Sequence, residues 1–115
     1  MTIRDFHVTI DEPESVGGTD EGPTPTELLL ASLATCFTLA VAHAARKRDI
    51  TLGELSVRID ADYDGNRFGW IRLEVTTDLS ADVNERLVER AKTYCFVSRT
   101  LQEPPDIEYA ITGRA

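Results

Sequence analysis

The order of patterns along the chain predicts an α+β fold: one strand, a long helix, a two-stranded hairpin, a second helix and a last strand, with a small antiparallel sheet. Three observations carry the prediction. A charge-free apolar run, Leu28 to Ala45, follows a complete helix start signal. Two alternating segments flank a turn rich in Asp, Gly and Asn, and a second helical period begins at Ser80. No repeat or low-complexity tract divides the 115 residues, so a single domain spanning 1–115 is expected.

Each element has its own reason. Thr2 to Ile10 places Phe6, Val8 and Ile10 on one face and Asp5, His7 and Thr9 on the other, the alternation of a half-buried strand, with Arg4 on the apolar parity. Asp11 to Pro25 collects Pro13, Gly17, Gly18, Gly22, Pro23 and Pro25 and reads as a loop. Thr24 then caps a helix, Pro25 suits its first position and Glu27 completes a capping box. Arg46, Lys47 and Arg48 suit its C-terminal end. Leu55, Val57 and Ile59 alternate on one hairpin strand and Ile71, Leu73 and Val75 on the other, joined through Tyr63 to Asn66. Ser80 caps a second helix running to about Tyr94, with Val83, Leu87, Val88, Ala91 and Cys95 at core spacing. Pro104 and Pro105 stop helix propagation, and Ile107, Tyr109 and Ile111 alternate as a final strand.

The first helix raises a packing problem. Leu28, Leu29, Leu30, Leu33, Phe37, Leu39 and Val41 occupy its whole circumference, and a helix apolar all round is buried all round. From Pro25 to Lys47 it is ~35 Å long, as long as such a domain is wide. One small sheet does not cover it, so a homodimer with these long helices at its centre is expected. Ser32, Thr35, Thr38 and His43 interrupt the run and argue against a membrane span.

Charge narrows the partners further. Twenty acidic residues against twelve basic give a net charge of −8, which repels phosphate backbones and anionic lipid headgroups, so neither nucleic acid nor membrane is expected as a partner. The first ten residues carry charges and alternation where a signal peptide has an apolar run. A cytoplasmic location follows as the expectation, and there a transient disulfide is more usual than a structural one.

The chemistry-bearing residues are few. Asp60, Asp62, Asp64 and Gly65 match the opening of a calcium loop, but the twelfth position, which should supply a bidentate Glu, is Ile71. No pair among Cys36, Cys95, His7 and His43 has zinc-type spacing, so no metal or other cofactor is expected. His43 lies two turns from Cys36 on one helix face and reads as a core histidine. The two cysteines remain, both in segments that read as helical. As residues alone they fit either inert core thiols or a redox pair. A reactive Cys36 needs a nearby cation, and its own helix offers none from Pro25 to Ala45. Arg4 and Arg99 are the candidates from elsewhere.

Two stretches tip this balance. Gly22-Pro-Thr-Pro-Thr-Glu-Leu-Leu-Leu-Ala-Ser-Leu-Ala-Thr-Cys36-Phe37 and Cys95-Phe-Val-Ser98-Arg-Thr-Leu101, together with Asp11-Glu12-Pro13 and Gly17-Gly18, resemble the OsmC/Ohr family of osmotically inducible and organic hydroperoxide resistance proteins. The resemblance implies an intertwined α+β homodimer with a long buried central helix, a second helix bearing Cys95, and active sites at the interface. It implies that Cys36 is a peroxidatic thiol that reduces an organic hydroperoxide and becomes a sulfenic acid. Cys95 is then the resolving thiol, and an external dithiol reduces the resulting disulfide. It also implies that Glu27 works with an arginine to hold the thiolate network. Two positions depart from the family's pattern. Arg4 is not where the family places its activating arginine, and the usual Cys-Pro is Cys95-Phe96 here. The rival expectations are a non-catalytic dimer binding a small apolar ligand at the subunit interface, and a purely structural dimer with inert cysteines.

Overall fold

In the computed structural model, which describes residues 1–114, the architecture is α+β and is organised around one helix. That helix, α1 (Pro25–Lys47), begins and ends in capping hydrogen bonds. The Thr24 hydroxyl accepts the Glu27 N–H (3.1 Å) and the Glu27 carboxylate accepts the Thr24 N–H (2.9 Å), closing the capping box read from the sequence. At the other end Asp49 adopts a left-handed conformation (φ 53°), the Ile50 N–H reaches the Ala45 carbonyl and the Asp49 N–H that of Arg46. This is a Schellman cap with Asp in the place usually held by Gly.

The N-terminal segment differs from the expectation of one strand from Thr2 to Ile10. It folds back on itself as two short antiparallel strands, β1 (Thr2–Ile3) and β2 (Phe6–His7). Arg4 takes a left-handed φ of 54° in the turn between them. Alternation alone does not reveal such a reversal, because residues 4 and 5 turn the chain without breaking parity. Arg4 therefore lies in an exposed turn, its guanidinium over the Phe6 ring at 4.9 Å, and not on an inward face.

The hairpin follows the expected register. β3 (Leu55–Asp64) and β4 (Arg67–Thr77) pair Val57 with Val75, Ile59 with Leu73 and Ala61 with Ile71, so one face is apolar. Gly65 opens the two-residue turn at φ 63°, the conformation that a hairpin of this length requires. A bulge beside Asp62 and Tyr63 leaves Gly69 unpaired. The aspartates of the calcium-like run thus lie on β3, with Gly65 in the turn that follows it.

Two helices pack against α1. α2 (Ala81–Ala91) starts at Ser80, whose hydroxyl accepts the Val83 N–H, and Asn84 ties it to the sheet through Thr77 and the Val75 carbonyl. It ends at Ala91, short of the expected Tyr94. A turn over residues 92–94 leads into α3 (Phe96–Gln102), which the sequence pattern concealed because its seven residues span barely two turns. Cys95 is the N-cap of α3, so it belongs to a corner between helices and not to the second helix. The expected strand at Ile107, Tyr109 and Ile111 is not formed among the described residues. These side chains are 74%, 82% and 91% exposed along an arm with no strand partner. A strand needs a neighbour, and among the described residues the arm has none.

The core lies on one side of α1. Leu33, Phe37, Ala40, Val41, Ala44 and Ala45 pack with Leu87, Ala91 and Cys95, while Leu29 and Leu39 remain exposed on other faces. The helix is therefore apolar all round but buried on one side only within the chain. The dimensions agree. The radius of gyration is 17.7 Å, against about 13 Å for a compact chain of this length. The accessible surface is 9092 Å², roughly 2,800 Å² above that of a globular monomer of this mass.

Candidate functional site

α1 carries Glu27 and Cys36 but separates them. Nine residues along a helix amount to about half a revolution and ~13 Å of rise, so the two side chains leave opposite sides of α1. Glu27 is exposed and holds the Thr24 N–H in the capping box. Cys36 is half-buried at the margin of the core, next to Phe37. Its helix supplies no cation from Pro25 to Ala45, and among the described residues neither Arg4 nor Arg99 pairs with a carboxylate. Arg99 donates from Nη1 to the Thr93 carbonyl at 3.5 Å.

Cys95 is enclosed completely, at 0% exposure, in the core cluster against which Cys36 packs. Its backbone is anchored on both sides. The Cys95 N–H donates to the Ala91 carbonyl, and the Cys95 carbonyl accepts from the Arg99 N–H and the Ser98 hydroxyl. The height of Cys95 on α1 follows from its neighbours. Tyr94 meets His43 edge to face, with ring centroids 4.6 Å apart. Ser98 lines a cavity of about 200 Å³ with Phe37, and Ser98, Leu101 and Gln102 line another of about 150 Å³ with Leu33. α3 therefore runs back along α1, from the level of His43 toward that of Leu33. This register places Cys95, which lies between Tyr94 and Ser98 in the chain, between the levels of His43 and Phe37 on α1. Both thiols are free. The structure thus brings Cys36 and Cys95 to one core and leaves Glu27 of the same chain apart from them.

The loop before α1 is more ordered than its composition suggested. The Asp11 carboxylate accepts the Thr19 hydroxyl (2.6 Å) and the N–H groups of Glu12, Thr19 and Glu21. The Thr19 hydroxyl chiefly, with the Glu12 and Glu21 N–H groups, draws its pKa from 3.8 down to about 2. An Asp heading a Gly- and Pro-rich loop is the sequence signal for such a hub. Beside it, Val16, Leu29, Tyr63 and Phe68 line a groove of about 700 Å³, where the Thr26 and Tyr63 hydroxyls hydrogen-bond at 2.8 Å. Among the described residues no three His, Cys, Asp or Glu side chains gather as a metal site.

A capped helix carrying Cys36, antiparallel to a short helix capped by Cys95, beside a two-stranded hairpin, has known counterparts. Residues 18–110 match the family described as OsmC-like protein. The chain belongs to this family. OsmC-like relatives include the organic hydroperoxide resistance protein OhrB of Bacillus subtilis, 26% identical over 92% of this chain and 80% of its own. A functionally uncharacterised protein of Haloferax volcanii is 30% identical over 98% of this chain and 85% of its own. Among solved structures, an organic hydroperoxide resistance protein from Legionella pneumophila superposes with a TM-score of 0.67 at 25% identity, over 80% of this chain and 71% of that one.

Proposed function

We propose that this OsmC-like chain is a cytoplasmic, single-domain thiol peroxidase that reduces organic hydroperoxides as a homodimer. What supports the reading is a half-buried Cys36 packed against the core cluster that encloses Cys95, inside a segment that matches the family. The similarity to OhrB of Bacillus subtilis supports a hydroperoxide as substrate.

The steps balance as follows. The Cys36 thiolate attacks the terminal oxygen of R–O–O–H, the O–O bond breaks, and the leaving alkoxide takes up the proton that the thiol gave up and departs as the alcohol, so the sulfur becomes a sulfenic acid. The Cys95 thiolate attacks that sulfur, hydroxide leaves and takes up a proton as water, and a disulfide remains. An external dithiol reduces the disulfide by exchange. The apolar lining around Cys36 favours an organic peroxide over hydrogen peroxide.

The dimer rests on the surface the chain leaves open. The excess of roughly 2,800 Å² is what one subunit contributes to a large obligate interface. It includes Leu39 and the arm bearing Ile107, Tyr109 and Ile111. In such a dimer the Glu27 that serves Cys36 comes from the partner, because the helix sends the two side chains of one chain in opposite directions.

The test is a free-thiol count and intact mass after stoichiometric cumene hydroperoxide, on the parent protein, Cys36→Ser and Cys95→Ser. The expected result is rapid loss of both thiols with loss of two hydrogens per chain, and a trapped sulfenic acid in Cys95→Ser. Thiols that persist on the timescale of a peroxidase overturn the reading in favour of an OsmC-like dimer that binds an apolar ligand without turnover.

A further inference from the structure

The resolving step asks for more than two thiols in one core. Cys95 must meet the Cys36 sulfur after oxidation, and its reach depends on where α3 sits along α1. Along that helix, His43 and Cys36 are seven residues apart and nearly eclipsed, ~10 Å from each other on one face. Tyr94 rests on His43 with the rings at 85°, and the chain then runs toward Phe37, so that Cys95 enters the core between these two levels of α1. The position of Tyr94 over His43 therefore sets the height of Cys95 relative to Cys36.

The inner side of that corner is held by the burial of Ala91 and Cys95 in the core, and Tyr94 is what its outer side lays on α1. Residues 92–94 form a turn with exposed side chains, and Tyr94 itself is 40% exposed. The Cys95 side chain makes no capping hydrogen bond to α3. The Thr93 hydroxyl and the Arg99 guanidinium bond to carbonyls of the corner itself, at Arg90 and Thr93, and not to α1. Among the described residues, His43 with Tyr94 is the one aromatic contact that joins the corner to α1.

We propose that Tyr94, through its edge-to-face contact with His43, is a positioning residue for the resolving step. It holds the corner between α2 and α3 at the height from which the Cys95 thiolate reaches the Cys36 sulfenic acid, displacing hydroxide that leaves as water. The assignment rests on the thiol peroxidase reading, and it touches the second step only, since Tyr94 is not needed for hydroperoxide to reach Cys36.

The experiment follows the two steps separately in single turnovers with cumene hydroperoxide. Sulfenic acid formation is read by dimedone trapping and disulfide formation by quenched intact mass, in the parent protein, Tyr94→Leu, Tyr94→Phe, His43→Leu and the double variant Tyr94→Leu/His43→Leu. Edge-to-face pairs are worth enough to slow disulfide formation about three- to tenfold in Tyr94→Leu, with sulfenic acid formation unchanged. Tyr94→Phe keeps the ring and restores the parental rate, and the double variant is no slower than either single one. Tyr94→Leu resolving at the parental rate, or slowing both steps alike, overturns the positioning role and leaves the peroxidase reading intact. A parent protein that forms no sulfenic acid overturns the peroxidase reading and this role with it.

Discussion

Glu27 has an observed role in the cap and a proposed one at the thiolate, and two substitutions separate them. Thr24→Ala removes the hydroxyl that accepts the Glu27 N–H (3.1 Å), a loss of about 1 kcal/mol for an N-cap of this kind. With an unfolding entropy near 2.1 cal/mol/K per residue over 115 residues, that lowers Tm by about 4 °C. Glu27→Gln keeps an oxygen to accept the Thr24 N–H (2.9 Å) and loses only the charge at the helix N-terminus, about 0.5 kcal/mol or ~2 °C. The proposed site inverts this order for chemistry. Glu27→Gln removes the anion that orients an arginine toward the partner's Cys36, so oxidation of Cys36 by cumene hydroperoxide falls at least roughly tenfold, the worth of one charge-assisted hydrogen bond. Thr24→Ala leaves that rate within about twofold. The assays are thermal unfolding by circular dichroism and single-turnover thiol loss, both well below the lower Tm. Oxidation of Glu27→Gln at the parental rate removes Glu27 from the site. Equal slowing in Thr24→Ala traces the effect to fraying of the helix start.

Three further outcomes are expected. Cys95 is enclosed by apolar groups, so Cys95→Ser buries a hydroxyl and costs about 1–3 kcal/mol, and thermal unfolding should rank Cys95→Ala as the more stable variant although both stop disulfide formation. Leu39, 66% exposed on α1, lies within the proposed interface, and Leu39→Arg should sediment as a monomer at micromolar concentration; an unchanged dimer places the interface elsewhere. Asp11 has a folded-state pKa of about 2, below its unfolded value, so its contribution is complete above pH ~4 and lost as pH falls through about 2. Amide hydrogen exchange at Glu12, Thr19 and Glu21 should accelerate across that window in the parent, and Asp11→Asn should show the fast exchange already at neutral pH.

What the sequence made legible was whatever depends on neighbours close along the chain. Thr24, Pro25 and Glu27 declare a helix start because a cap is satisfied within four residues, and the hairpin face from Leu55 to Val75 declares itself by parity. Three features escaped for physical reasons. The reversal at Arg4 uses a left-handed non-glycine residue, which carries little local signature. The α2–α3 corner at residues 92–94 continues the apolar spacing of Val88, Ala91 and Cys95, so the pattern alone reads one helix where there are two. The last strand was read correctly as alternation but not as structure, because Ile107, Tyr109 and Ile111 lack a partner within the chain. For the site, the helical pattern placed Cys36 on α1 and the sequence showed no cation beside it from Pro25 to Ala45. The contact of His43 with Tyr94, which sets the height of Cys95, joins residues 51 apart in sequence and has no local signal.

The exposure of the two cysteines also argues for the order of their proposed roles. A hydroperoxide meets whichever sulfur the fold lets it touch first. Cys36 is half-buried and Cys95 is sealed, so an oxidant entering from solvent encounters Cys36 and finds Cys95 behind it. Sealing the second thiol has a further effect. It keeps Cys95 from being oxidised on its own, which would leave two sulfenic acids and no nucleophile to join them. The resolving thiol then needs no exposure, only a place in the core against which Cys36 also packs, and the corner that carries it is held there by burial, by its backbone bonds and by the contact of Tyr94 with His43. In this arrangement the peroxidatic role follows from access and the resolving role from register. The distinction can be measured: a small alkylating reagent should label Cys36 in the folded parent and reach Cys95 only after unfolding, whereas equal labelling of both thiols would remove access as the basis for the assignment.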